Sequence, residues 1–337
     1  MTKSLLITGA TGSFGQKFIS SLISEKNEWD KIIIFSRDEL KQWEMQDKFP
    51  QEKYKKLRYF LGDIRDYKRL KRAFEGVDTI IHAAALKQVP AAEYNPTEFI
   101  KTNIYGSQNV IEAASDCGVK NIISLSTDKA SSPTNLYGAT KLCSDKLFIA
   151  ANRYSGHKLK CSVVRYGNVM GSRGSVIPVF LKQLDSNQTL KLTDPKMSRF
   201  NITLKEAINV VKYSMQKSLG GEIFIPKMPS YNLNTLAEAI DEKLNIEIIG
   251  RREGEKDHEE LFHAQDCYEL LETSNMYVIS NVISREEYKS KWMKNHSEEI
   301  FISKRVNAYS SDTNDNFLSK DDLKKLIYEF KKENNYL

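Results

Sequence analysis

Residues Ser4 to Gly15, "SLLITGATGSFG", constrain this chain more than any other stretch. A short apolar run ends at Thr8, glycines stand at 9, 12 and 15, and Phe18, Ile19, Leu22 and Ile23 then recur at helical spacing. The order is strand, glycine-rich turn, helix. Such glycines let the backbone turn tightly and bring N–H groups at a helix start against a pyrophosphate, where the helix dipole favours negative charge. A glycine pattern alone is a weak signal, but with the strand before it and the helix after it the reading is a dinucleotide site rather than a plain βα turn. Gly9, Thr11, Gly12, Ser13, Phe14 and Gly15 are therefore its first cofactor-binding residues.

The alternation continues as a doubly wound sheet requires. "KIIIFSR" (Lys31 to Arg37), "LRYFLGD" (Leu57 to Asp63), "DTIIHAAA" (Asp78 to Ala85), "KNIISLST" (Lys120 to Thr127) and "LKCSVVRYGNV" (Leu159 to Val169) read as further strands, with "GGEIFIP" (Gly220 to Pro226) a seventh. Stretches such as "DYKRLKRAFEG" supply crossover helices. The fold class is α/β: a Rossmann-type doubly wound parallel sheet with a smaller C-terminal substrate-binding lobe. Residues 1–168 are expected to form the NADP-binding domain, with 201–226 returning to it. Residues 169–200 and 227–300 are expected to form the lobe, and 301–337 a C-terminal segment whose last helix opens at the capping sequence "SKDD" from Ser319.

The net charge of +6 is spread along the chain, which argues against nucleic acid and weakly for an anionic small substrate. The dense basic run, Lys53 to Lys56, reads as a solvated face. Cys117, Cys143, Cys161 and Cys267 have neither metal-ligand nor disulfide-framework spacing and are expected to be small core residues in a reducing compartment, with no metal. Met1-Thr2-Lys3 leads straight into a strand, and no apolar run approaches the ~18 residues that span a bilayer. A cytoplasmic protein without a membrane span is the expectation.

Cofactor choice turns on the end of strand two. An acidic residue there accepts the ribose hydroxyls of NAD, whereas a cation pairs with the 2′-phosphate of NADP. The sequence gives Ser36, Arg37 and Lys41 beside Asp38 and Glu39, and Arg37 comes first, so NADP is expected. Asp63, at the end of strand three, reads either as an acceptor for the adenine amino group or as the N-cap of the helix beginning near Asp66. Ile64 and Ala83 extend the cofactor-facing set at the carboxyl ends of strands three and four.

After strand five comes "LSTDKASSPTNLYGATK", Leu125 to Lys141. Tyr137 and Lys141 fall one helical turn apart, and a nearby ammonium favours a phenolate able to take a proton from a substrate hydroxyl. Thr127 is placed to orient that hydroxyl. Two further titratable residues, Asp128 and Lys129, stand between the strand and the tyrosine.

Here the residues resemble the extended short-chain dehydrogenase/reductases, and among them the inverting UDP-N-acetylglucosamine 4,6-dehydratases that open the route to pseudaminic acid and related bacterial sugars. "TGATGSFG", "SRDELK", "HAAALKQVPAAEYNP", "TNIYGSQNVI", "STDKASSPTNLYGATKL", "VRYGNVMGSRGSV" and "GEIFIPK" carry the resemblance over nearly the whole chain. It implies C4 oxidation with Tyr137 taking the hydroxyl proton, Lys129 as base at C5, Asp128 as acid toward the leaving C6 hydroxyl, and hydride return to C6 with inversion at C5. The implied product is a 4-keto-6-deoxy sugar nucleotide of L configuration. A lysine base needs a lowered pKa and an aspartic acid a raised one.

The resemblance also makes Lys87, Asn168 and Arg173 substrate-binding. Arg199 and Arg251 are lobe cations suited to a diphosphate by bidentate geometry. Asn103 is expected to orient groups near Lys141 or to cap a helix, and His82 to be a hydrogen-bonded core histidine. Gln88 stands where this family commonly has His, and Arg252-Glu253-Gly254 where Arg-Pro-Gly is usual. A homo-oligomer, dimer-based and up to a hexamer, is implied, with the helices beginning near Pro96 and Tyr137 as interface elements. Two other readings stay open: a UDP-hexosamine 4-epimerase, which gives Asp128 and Lys129 no task, and a non-catalytic NADP-sensing regulator.

Overall fold

The apolar runs become the middle of a sheet because they are buried on both faces. The computed structural model describes residues 3–156, 158–172, 175–185, 189–241 and 246–333. In it β1 (Ser4–Thr8), β2 (Lys31–Ser36), β3 (Leu57–Leu61), β4 (Thr79–His82), β5 (Asn121–Thr127) and β6 (Lys160–Tyr166) pair in parallel, in the order β3-β2-β1-β4-β5-β6. All five residues of β1 are buried. Burying a large aliphatic or aromatic side chain contributes roughly 1.5–3 kcal/mol, so residues such as Phe18, Phe35, Phe74 and Phe148, all below 2% exposure, hold the layers together. Strand order reverses between β1 and β4, and a crevice opens at their carboxyl ends.

The crossovers are α1 (Ser13–Ser24), α2 (Glu39–Lys48) and α3 (Tyr67–Phe74), then the short α4 (Val89–Tyr94) and α5 (Pro96–Phe99), a π-helical turn (Ile100–Tyr105), and α6 (Gly106–Asp116). α7 (Leu136–Tyr154) follows β5. Asp66, not Asp63, caps α3: its carboxylate accepts from the Arg69 N–H at 3.0 Å.

The sheet does not stop at Glu222–Pro226. That strand runs parallel to β6, and the antiparallel strands Met276–Ser280, Leu270–Glu272 and Phe301–Ile302 extend it to ten strands among the described residues. The first two of these strands therefore belong to the main sheet, where the sequence suggested the lobe, and Phe301–Ile302 joins it from the expected C-terminal segment. Once the βα alternation ends, an apolar strand has no neighbouring helix in sequence to reveal its sheet.

The lobe has its own small core, in which Ile177, Phe180, Leu190, Leu192, Leu233 and Leu236 pack with Leu323 and Ile327. Its strands are short. Asn168–Val169, Ser198–Ile202 and Ser230–Asn232 form one sheet, and Leu190–Leu192 pairs with Ile246–Ile248. The final helix (Lys320–Glu333) contributes Leu323 and Ile327 and so completes the lobe instead of standing apart. The Ser319 hydroxyl accepts from the Asp322 N–H at 3.2 Å, and the Asp322 carboxylate accepts from the Ser319 N–H at 3.1 Å, closing the expected capping box. Of the cysteines, Cys161 and Cys267 are buried, but Cys143 is exposed on α7. No helix among the described residues is long and apolar enough to cross a membrane.

Candidate active site

The crevice widens into a cleft of about 860 Å³ lined from both the sheet and the lobe. Its dinucleotide end is formed by Gly9, Thr11, Gly12, Ser13, Phe14 and Gly15, with Ser36, Arg37, Lys41, Asp63, Ile64 and Ala83. Gly9 has φ +65°, and a Cβ there would stand 2.8 Å from the Ala84 backbone, so β1 can approach the loop after β4 this closely only with glycine. α1 then opens at Ser13 behind Gly12, which offers no side-chain cap.

After β2 the acidic residue is committed elsewhere. The Asp38 carboxylate caps α2, accepting from the Lys41 N–H at 3.0 Å and from Lys41 Nζ at 2.6 Å. Arg37 is exposed, 3.8 Å from Asp63. Asp63 accepts two hydrogen bonds from the Arg65 guanidinium, at 3.0 and 2.7 Å. Burial raises its pKa, but those bonds and the Arg37 charge outweigh burial and hold it below the usual carboxylate range.

At the other end, the chain leaves β5 in an irregular path that the sequence demanded if neighbouring residues were to share one cavity. Thr127 begins a 3₁₀ turn over Asp128–Ala130, Ser132 takes φ +42°, and Asn135 caps α7 through the Gly138 N–H at 2.8 Å. Thr127, Asp128, Lys129, Tyr137 and Lys141 all line the cleft. Burial pushes the Tyr137 phenol up to about 12, opposed by the Lys129 charge and a hydrogen bond with Thr127. Lys141, whose own pKa burial lowers, donates to the Leu125 carbonyl at 2.8 Å.

Lys129 departs from expectation. Burial pulls its pKa down, but Asp128 Oδ1 at 3.1 Å and Glu259 Oε1 at 2.9 Å outweigh burial and hold the ammonium well above its ordinary value. The lowered pKa that a resting lysine base requires is absent, because two carboxylates face one amine. Asp128 is raised, chiefly by burial and further by Glu259, as an acid needs.

Around this trio, Asn103 on the π-helical turn accepts from the Leu86 N–H and donates to the Leu86 carbonyl, both at 2.9 Å, and donates to Thr140 at 3.0 Å. It ties the loop bearing Lys87 to the helix bearing Lys141. Lys87 faces the cleft, its ammonium lowered by desolvation and by Lys129. Asn168 also lines the cleft, and its buried Oδ1 has no protein partner. Arg199 is buried, donating to the Ser198 and Asp257 carbonyls at 2.8 and 2.9 Å and pairing with Glu255 at 3.2 Å. Arg251 is not brought to the cleft: it is exposed and pairs with Asp257, while Arg252 lines the wall. Arg173 lies outside the described residues. His82 is a core histidine, with Thr8 Oγ1 at 2.9 Å and burial pushing it down to about 3.

Sequence reasoning missed Glu259. It sits 2% exposed in "GRREGEKDHEELF", a segment folded onto the catalytic turn. Lys256 Nζ donates to the Ser131 carbonyl at 2.7 Å, Ser132 to Glu260 at 3.0 Å, and Asn135 to the Gly254 carbonyl at 2.9 Å. The signal was a dense charged run passing directly into an apolar strand, Glu260–Phe262.

Residues 5–281 match the family described as "Polysaccharide biosynthesis protein". The chain is 48% identical over 328 residues to the UDP-N-acetylglucosamine 4,6-dehydratase (inverting) of Campylobacter jejuni subsp. jejuni serotype O:23/36 (strain 81-176), covering 96% of this chain and 97% of that protein. It is 42% identical over 284 residues to a UDP-glucose 4-epimerase of Rickettsia canadensis (strain McKiel), covering 82% of each. The X-ray structure of Pen from Bacillus thuringiensis superposes with TM-score 0.86 at 38% identity, over 97% of this chain and 98% of that one. With a doubly wound sheet and a family match over most of its length, the chain belongs to the polysaccharide biosynthesis protein family of extended short-chain dehydrogenase/reductases.

Proposed function

We propose that this protein is an inverting UDP-N-acetylglucosamine 4,6-dehydratase that uses NADP. The observation that carries the reading is the 3₁₀ turn after β5, which turns Asp128 and Lys129 into the same cleft as Thr127 and Tyr137. An epimerase needs Tyr137 with Thr127 and Lys141; elimination of water needs an additional acid and base. The 48% identity to the Campylobacter dehydratase supports the same choice over the more distant epimerase.

The residues present fit a nicotinamide dinucleotide: the glycine turn leaves backbone at the start of α1, and the Asp38 carboxylate is already taken. Arg37 and Lys41 stand nearby for a 2′-phosphate, which supports NADP. When bound, the dinucleotide supplies hydride acceptance at C4 and its return at C6. Tyr137 takes the C4 hydroxyl proton, with Thr127 holding that hydroxyl and Lys141, one helical turn along α7, as the tyrosine's cationic partner. Passing one proton from Lys129 Nζ to Asp128 across their 3.1 Å bond leaves a neutral amine and a carboxylic acid. The amine removes the C5 proton, the acid protonates the departing C6 hydroxyl as water, and a solvent-derived proton added to the opposite face of C5 inverts that centre. Lys87, Asn168 and Arg199 line the substrate end of the cleft. The product, UDP-2-acetamido-2,6-dideoxy-β-L-arabino-hex-4-ulose, enters a route to pseudaminic acid or a related sugar. A homo-oligomer built through the helices near Pro96 and Tyr137 accompanies this reading; Tyr94, Tyr105 and Tyr154, on or beside those helices, are exposed.

Proton NMR of the purified protein with UDP-N-acetylglucosamine in deuterated water tests it. The expected result is a new C6 methyl signal retaining all its hydrogens, deuterium at C5 and L-arabino couplings. Formation of UDP-N-acetylgalactosamine without a methyl signal would establish the epimerase instead.

A further inference from the structure

A lysine on a four-carbon stem, next in sequence to its intended proton partner, has many rotamers that point its nitrogen elsewhere. Here Nζ is held from two sides, by Asp128 at 3.1 Å and by Glu259 at 2.9 Å. Glu259 itself is fixed at the backbone. Its N–H donates to Ser311 Oγ at 2.9 Å and its carbonyl accepts from the Ser311 N–H at 2.9 Å, while Ser311 is anchored to Ser198 beside Arg199. Glu259 is 2% exposed, and its second oxygen, like that of Asp128, has no protein partner. A buried carboxylate costs several kcal/mol to desolvate, so its place against this ammonium demands an explanation.

We propose that Glu259 is a positioning residue for the elimination step: from the far side of the ammonium it fixes where Lys129 Nζ lies against Asp128 and how many protons the Asp128–Lys129 pair carries. This rests on the dehydratase reading. Two carboxylates sharing one amine are driven apart in proton affinity. Glu259 stays ionised, burial being outweighed by Lys129 and Arg199, whereas Asp128 is raised by burial and by Glu259. The other groups acting on the trio are Lys256 from the same segment, Lys87 after β4, Tyr137 on α7 and Tyr231 on the lobe strand.

The test is the pH dependence of dehydration for wild type, E259Q and E259D, with the NMR product assay run on wild type in parallel. Removing the charge lowers both the Lys129 and the Asp128 pKa, so both limbs of the kcat profile move to lower pH. The expected result for E259Q is a profile displaced downward by about one unit with kcat reduced ~10–100-fold and KM changed less than about threefold. E259D keeps the charge but shortens the reach, so its profile stays in place at reduced height; this comparison carries the test should E259Q fail to fold. A wild-type profile position for E259Q, or an undiminished kcat for E259D, overturns the proposal. Absence of the methyl product from wild type would overturn the dehydratase reading instead, so the two failures are distinguishable.

Discussion

In the proposed NADP reading, Arg37 carries the cofactor preference through one charge. With Asp38 occupied by Lys41, the guanidinium is the cation that follows β2 directly into the cleft. A hydrogen bond to a charged group contributes about 1.5–3 kcal/mol, so R37A is expected to weaken NADP binding ~10-fold or more while NAD affinity barely changes. Titration calorimetry with both dinucleotides checks this, and equal losses for the two would assign Arg37 no role at the 2′-phosphate. Arg37 could be read from its place after an apolar run. Glu259 could not, because a buried acid among Glu253, Glu255 and Glu260 looks like any other charge until its partner, Lys129, is brought to it.

The catalytic turn and the segment that closes on it work as a pair of elements. Gly254 has φ +70°, and a Cβ there would come 2.8 Å from the Asn135 Cβ, so the segment can lie against the start of α7 only with glycine at this point. G254A adds the left-handed penalty of about 1–2 kcal/mol and pushes the segment away from Asn135. Its expected effect is a melting temperature lower by a few degrees with a larger fall in kcat than in binding of UDP; unchanged melting and turnover would refute the close fit. Strands β1, β2, β4 and β5 were readable because a buried parallel strand is a continuous apolar run. The lobe strands of two or three residues, such as Asn168–Val169, carry no period to detect, and the break at Gly167 within the expected sixth strand appears only when the chain changes sheet.

Across the whole molecule, stability has its own pH dependence. Glu222 begins the seventh parallel strand fully buried, accepting from Ser162 at 3.0 Å and from the Leu219 N–H at 2.9 Å, and burial raises its pKa. The folded state therefore binds a proton that the unfolded chain releases above a pH of about 4.5, so this group's contribution falls as pH rises through that range. E222Q removes the dependence. Its melting temperature is expected to match wild type near pH 4.5 and to exceed it by a few degrees at pH 8; scanning calorimetry at both pH values decides. Both the folding class and the cleft followed from alternating runs along the first half of the chain, whereas the ten-stranded extent of the sheet depends on pairings the later residues make only in three dimensions.

The bonds from Lys256 to Ser131 and from Ser132 to Glu260 join residues 125 and 128 positions apart. Contacts at such separation are slow to form, since a long loop must close first. The glycine turn and β1 are closed by partners no farther along the chain than Ala84, so dinucleotide affinity should be acquired earlier in folding than turnover. Refolding followed by cofactor fluorescence is therefore expected to run ahead of recovered activity, which waits for residues 254–260 to close on the turn after β5.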